Sequence, residues 1–203
     1  MGWIKIAWIA SFIVVFSGCF AKIPQVQYYE IEALNGVKLE SKKELFWEIS
    51  VAPKIASKKI AYKTNANSIA YFSKNAWIEP FSVMVDSLAL KIAGNYGILN
   101  AQNGGVWGSQ DAKTQVGRVK INVLDCYFDA QRESVFVRFF VEIIGGSEFG
   151  GSVFEGSVVR GSELEKSVVI EKVEQVESGE FIQIVKAFER ALNAGFVEIF
   201  TKF

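Results

Sequence analysis

Two long runs near the middle of the chain constrain its fold most: "VGRVKINVLDCYFD" (116–129) and "SVFVRFFVEII" (134–144), joined by "DAQRE". Val119, Ile121 and Val123 alternate on one side of the first, and Val135, Val137, Phe139, Val141 and Ile143 on one side of the second. Period-two alternation over such lengths marks half-buried strands, and the short polar link reads as a hairpin turn. The chain is therefore committed to a sheet.

More strands fit around this pair. "LFWEISV" (45–51) alternates Leu45, Trp47, Ile49 and Val51, and Pro53 ends it, so "APKIASKK" reads as a loop. "KIAYKT" and "SIAYF" are short strands about the turn Asn65-Ala66-Asn67, while "SVFEGSVVRG" and "SVVIEKVEQV" supply more. Glycines at 145, 146, 150, 151, 156 and 161 suggest bulges or bends, and "NYGILNAQNGGVWGSQDA" reads as a loop or irregular edge.

Two segments change period. Trp77, Phe81, Val85, Leu88 and Ile92 recur at helical spacing, with Pro80 suited to a first turn and Gly94-Asn95 to a stop, giving a helix of about 78–93. Phe181, Val185, Phe188, Leu192, Phe196, Ile199 and Phe203 step by three or four through Gly195, giving one helix of about 179–201 with Ser178 as its N-cap. The expected fold is α+β: a mostly antiparallel sheet covered on one face by these two helices.

The length of 203 residues suits one folded domain, here 28–203, and half the residues being hydrophobic, with 17 Phe and 5 Trp, supplies its core. Lys plus Arg equal Asp plus Glu at 22 each, which disfavours nucleic-acid binding, since that needs a basic excess to release phosphate counterions. The balance hides an asymmetry. Residues 38–74 carry eight Lys against three Glu (+5), and residues 142–180 nine Glu against three Lys or Arg (−6). Such a distribution is either a dipolar surface that orients the protein or two separately solvated faces.

Chemistry-bearing patterns are sparse. Without histidine the commonest general base and metal ligand near neutral pH is missing, and two cysteines, Cys19 and Cys126, make no metal-ligand set. Cys126 sits in a strand-like run, where a small buried hydrophobe is expected. "NGGVWG" and "GGSEFGGSVFEG" lack the Gly-Lys-Ser/Thr ending of a phosphate loop. "SELEKS" fits a Ser-Lys pattern only trivially, and the glutamates are scattered. The expectation is a protein that is no enzyme and uses no cofactor or metal.

The N-terminus places Lys5 before "IAWIASFIVVF" and ends in Ser17-Gly18-Cys19, the charged, apolar and small-residue order of a secretory signal. A spanning helix needs about 20 apolar residues, and Trp3–Phe20 gives 18, so an uncleaved anchor is the competing reading. Phe16-Ser17-Gly18-Cys19 resembles a bacterial lipobox, with Phe16 where Leu is usual. On this reading residues 1–18 are a signal peptide, Cys19 is lipidated, and 19–27 is a tether.

Lipobox, "YYEI", a proline-terminated strand, "KKIAYKTNANSIAYFSKNAWIEPFSVMVDSLALKIA" and a long final helix, in that order, resemble the ABC-type transport auxiliary lipoproteins, the group that includes the paraquat-inducible protein C lipoproteins. Tyr62, in Ile60-Ala61-Tyr62-Lys63, matches the family's strand with Lys for Arg. Tyr71, Trp77, Glu79, Pro80 and Phe81 match its helix start, with Ile78 for Ala and Phe81 for Leu. The resemblance implies a non-enzymatic periplasmic lipoprotein, anchored to the membrane by its lipid. Its partners would be the permease and ATPase of an ABC transporter and a mammalian-cell-entry domain subunit, and its cargo phospholipid or another hydrophobic compound. It also implies that members can assemble as homo-oligomeric rings. The helix start around Trp77 and Phe81 is then either an interface or core. Phe20, in place of the Asp that retains lipoproteins in the inner membrane, favours the outer membrane. The alternative is an outer-membrane lipoprotein that assembles or plugs a β-barrel.

Overall fold

The two alternating runs form the expected hairpin. In a computed structural model, which describes residues 25–34, 43–100, 117–144, 158–160 and 163–202, β6 (Gly117–Asp129) pairs antiparallel with β7 (Ser134–Ile144). The signal segment, Cys19 and most of the tether lie outside the described residues. The turn is fixed by Asp129, whose Oδ1 accepts from the backbone N–H groups of Gln131 (2.9 Å) and Arg132 (3.1 Å), while Glu133 takes φ 49°.

The register shifts between Val123 and Asp125, so a bulge at Leu124 reverses the phase of β6. Val119, Ile121 and Val123 face inward before it, and Cys126 faces inward after it. β7 keeps one phase throughout, with Val135, Val137, Phe139, Val141 and Ile143 all buried.

β6 is also where the sheet branches. β2 (Lys43–Val51) runs parallel to its first half, from Leu45 opposite Gly117 to Val51 opposite Val123. β3 (Lys59–Asn65) runs parallel to its end, with Tyr62 opposite Phe128. β2 and β3 thus lie end to end along one side of β6, separated by loop 52–58. β4 (Ser68–Trp77) pairs antiparallel with β3, and the short β1 (Gln27–Tyr29) adds parallel to β4. Beyond β7, β9 (Glu163–Gln175) and the short β8 (Val158–Arg160) continue antiparallel. β5 (Ile98–Asn100) pairs parallel with β2, in a segment expected to be a loop or irregular edge.

The fold class is α+β as expected, but the sheet is mixed and not mostly antiparallel: among the described residues four pairings are parallel and four antiparallel. Alternation specifies which side chains are buried, and strand direction depends on connections that alternation does not encode. Here loop 52–58 carries the chain onward without reversing it, its start held by Ala52 N–H to Val123 O (2.9 Å).

Both helices lie on the inward face. α1 (Phe81–Asn95) buries Phe81, Met84, Val85, Leu88 and Ile92. It starts three residues later than expected, because a proline pushes the residue before it out of the helical region. Glu79 is therefore non-helical, and Pro80 is the N-cap (φ −52°, ψ 132°). Trp77 closes β4 and belongs to no helix.

α2 (Phe181–Lys202) runs unbroken through Gly195 and buries Ile184, Val185, Phe188, Leu192, Phe196 and Ile199. Because it begins at Phe181, Ser178 lies outside the cap position. Phe196 packs edge-on against Phe139 of β7 (5.3 Å between centroids), and Phe200 against Trp47 of β2 (5.2 Å). No helix among the described residues is long and apolar enough to cross a membrane.

Candidate functional site

The residues singled out around the start of α1 come together as a joint. Trp77 is 2% exposed, stacks on Phe81 (5.9 Å, 26°) and meets Phe188 of α2 edge-on (5.5 Å, 83°). Pro80 has no side-chain donor or acceptor for the first turn, so the backbone of loop 52–58 serves instead. Phe81 N–H bonds Ser57 O (3.2 Å), Ser82 N–H bonds Ala56 O (3.3 Å), and Trp77 N–H bonds Lys58 O (2.8 Å). The Tyr71 hydroxyl donates to Lys54 O (2.7 Å) from the other side of the same loop. Glu79 and Pro80 are exposed.

Tyr62 takes no part in this joint. It packs on Phe72 (4.6 Å), which meets Phe181 edge-on (4.8 Å), and Phe181 lies against Tyr29 of β1 (5.1 Å). This half-buried aromatic cluster fastens β1, β3 and β4 beneath the start of α2. Between the joint and α2 runs a seam lined by Ile55, Ala61, Trp77, Phe81, Cys126 and Phe188, too narrow to hold a water molecule. Cys126 is buried there, and desolvation, with Asp125 adding to it, pushes its thiol well above the usual range, so it stays a thiol at neutral pH. Among the described residues, no cluster of three or more His, Cys, Asp or Glu is placed to hold a metal.

What the two helices leave open is the other face of the sheet. Register lays its side chains in rungs. Glu48, Lys120, Glu142 and Ser167 form one, and Ser50, Asn122, Phe140 and Val169 the next. Beyond the bulge come Asp125, Arg138 and Glu171, then Tyr127, Phe136 and Val173. Charged rungs therefore alternate with rungs that are apolar on β7 and β9 (Phe140 and Val169, Phe136 and Val173).

Beyond the bulge the charges on this face are mutually engaged. Arg138 pairs with Glu171 (2.8 Å) and Asp125 (3.4 Å), and Lys54 with Asp125 (2.6 Å). Arg138 also lies over Phe136 (5.2 Å), Lys63 over Tyr127 (4.2 Å) and Arg118 over Phe46 (5.1 Å), which cover the ring faces with cations. Burial first, then Asp125 and Asp129, push the Tyr127 phenol above its ordinary value. Val169 and Val173 are each 54% exposed, and Leu124 on the bulge is also exposed. This face offers apolar contact area framed by satisfied ion pairs. The alternating strands mark it in the sequence, but attention to the inward residues passes over it.

No protein-family model matches the sequence, and no curated protein matches it. Solved structures do. A crystal structure of an uncharacterized protein superposes with a TM-score of 0.58 at 11% identity, over 88% of this chain and 98% of that one. Another, of a Xanthomonas campestris protein assigned to the DUF330 family, superposes with a TM-score of 0.53 at 16% identity, over 87% and 90%. What these likenesses establish is the fold: a branched sheet with two helices on one face, shared with a DUF330 protein.

Proposed function

We propose that this chain is a periplasmic lipoprotein, held to a membrane through Cys19, that serves as the auxiliary component of an ABC-type transporter carrying a mammalian-cell-entry domain subunit. The system would move phospholipid or another hydrophobic compound between the two membranes. The lipobox-like Phe16–Cys19 and the motif order from Tyr62 to Phe81 support the family reading. The observation that carries a docking role is the sheet face that neither helix covers among the described residues. Exposed Val169, Val173 and Leu124 beside Phe136 and Phe140, framed by ion pairs, have the apolar centre and polar rim of a protein-contact surface. The chain would work by holding other components in place.

Affinity purification of the lipidated protein, with mass spectrometry of co-purifying proteins and lipids, tests this. A permease, an ATPase and a mammalian-cell-entry subunit are expected, with phospholipid. A β-barrel in their place supports an assembly factor, and recovery of the chain with neither transporter subunits nor lipid overturns the transport reading. Cys19→Ser is expected to abolish lipid labelling and leave an unprocessed precursor. Unchanged size and membrane attachment in that variant would restore a plain N-terminal anchor.

A further inference from the structure

The hairpin of β3 and β4, with the loop that leads into it, is basic: residues 54–74 hold five lysines, of which Lys59, Lys63 and Lys74 are in the hairpin itself, and no acidic residue. Lys54 alone of these pairs with a carboxylate, that of Asp125. Among the described residues the other four lack an ion-pair partner. Lys58 donates to Ile78 O (2.7 Å), Lys59 lies over the Tyr71 ring (5.5 Å), Lys63 over Tyr127 (4.2 Å), and Lys74 is exposed.

The short strand β1 adds to the edge of this hairpin. Tyr28 of β1 and Lys59 of β3 are both register partners of Ala76 on β4, so the three side chains share one face. Lys74 and Val26, each two residues back along the chain, are exposed next to them, Lys74 in the stretch where the register of β4 with β3 shifts. Tyr28 is 59% exposed and Val26 is exposed as well. An exposed tyrosine and valine thus stand among lysines that have no ion-pair partner among the described residues. The hairpin itself carries no acidic group, and the one acidic side chain on the β1 arm beside Tyr28 is the exposed Glu30.

The course of the chain says what this patch meets. From Gln25, where the described arm begins, six peptide steps lead back to Cys19, and an extended chain of six residues reaches roughly 20 Å at most. A lipid on Cys19 therefore holds the β1 edge close to the bilayer and leaves β9 and β8, at the other side of the sheet order, further from its anchor. We infer that the patch of Lys59, Lys74, Val26 and Tyr28 rests on the headgroups of an anionic lipid surface. This inference rests on the lipoprotein reading above. Lysines near a negative surface each strengthen attraction about fivefold, and a tyrosine ring suits the headgroup layer, where its body is apolar and its hydroxyl wet.

The full lipidated chain, with benzoylphenylalanine in place of Tyr28 or, separately, of Val173, is reconstituted in vesicles of phosphatidylglycerol with phosphatidylcholine, or of phosphatidylcholine alone. After irradiation, adducts are read by mass spectrometry. A phospholipid adduct is expected at position 28 and not at 173. It should fall severalfold in neutral vesicles and in K59E/K74E, and survive in K59R/K74R. Both lysines are exposed, so an unchanged melting temperature separates lost contact from lost fold. Equal adducts at 28 and 173, indifference to lipid charge, or an adduct at 28 to protein alone overturns the inference while a lipidated Cys19 in the same digest upholds the anchor. A Cys19 without lipid overturns the anchor reading, and this inference with it.

Discussion

At the scale of single residues, Gly195 sets two effects against each other. Replacing a helical glycine with alanine ordinarily gains about 1 kcal/mol from backbone entropy. Here a Cβ would overlap Cε2 of Phe139 and lie 2.6 Å from its Cζ, and that ring is buried against Phe196. Overpacking of that kind costs about 1–3 kcal/mol. Gly195→Ala is therefore expected to lower the urea midpoint, where helix propensity alone predicts a rise. The sequence shows that the stripe runs through Gly195, but not why, because Phe139 is 56 positions away. Glu198 supplies a pH-dependent case. Hydrogen bonds from Lys172 and Lys202 hold its carboxyl below the ordinary value, against some desolvation. A depressed folded value gives stability that is present above the unfolded carboxylate pKa, about 4.3, and is lost as pH falls through the folded value. Glu198→Gln should cost a few tenths to about 1 kcal/mol at pH 7. Urea titrations should show wild type and variant converging below the carboxylate range.

At the scale of elements, the start of α1 shows how a sequence pattern can be sound in spacing and wrong in phase. Trp77 and Phe81 stand four apart and do touch, as helix neighbours would. They touch because β4 ends at Trp77 and Pro80 turns the chain directly into the helix, bringing a strand residue over the first helical one. The period-two and 3.6-period readings agree at that junction, so the pattern alone could not place Trp77. Its burial against Phe188 makes Trp77→Ala a folding variant, expected to cost about 3–5 kcal/mol. Calorimetry should show a large drop in Tm. The stretch of the N-terminal arm after β1, residues 30–34, carried little sequence signal, and besides the buried Ile31 a polar side chain holds it. Asn193 of α2 accepts from Leu34 N–H (2.9 Å) and donates to the carbonyls of Glu32 (2.9 Å) and Glu189 (2.8 Å). Asn193→Leu leaves the arm's amide and carbonyl without those partners, at about 1–3 kcal/mol. Limited proteolysis should then cut the arm near residues 30–34 before the rest of the domain.

At the scale of the whole molecule, the charge asymmetry acquires a direction that composition could not give. The strand order β1-β4-β3-β6-β7-β9-β8 puts the lysine-rich hairpin at one side of the sheet and the glutamate-bearing β9 at the other. Distance in sequence has become distance across a single sheet, which favours a dipolar surface over two unrelated solvated faces. Alternation made the strands and their buried sides legible. The branch at β6 was not legible, since it depends on a bulge at Leu124 and a non-reversing loop. The geometry also separates the two surfaces, so they can be disabled independently. Val169→Lys with Val173→Lys puts cations into the apolar rungs of the open face, at positions already 54% exposed. The stability cost should stay near or below about 1 kcal/mol per site, the span of strand preferences. If the open face docks transporter subunits, this variant loses them on affinity purification and still shows the lipid adduct at position 28. K59E/K74E should do the reverse. Loss of both properties in either variant, with the melting temperature unchanged, would mean that one surface serves both purposes and that the division of labour across the sheet is wrong.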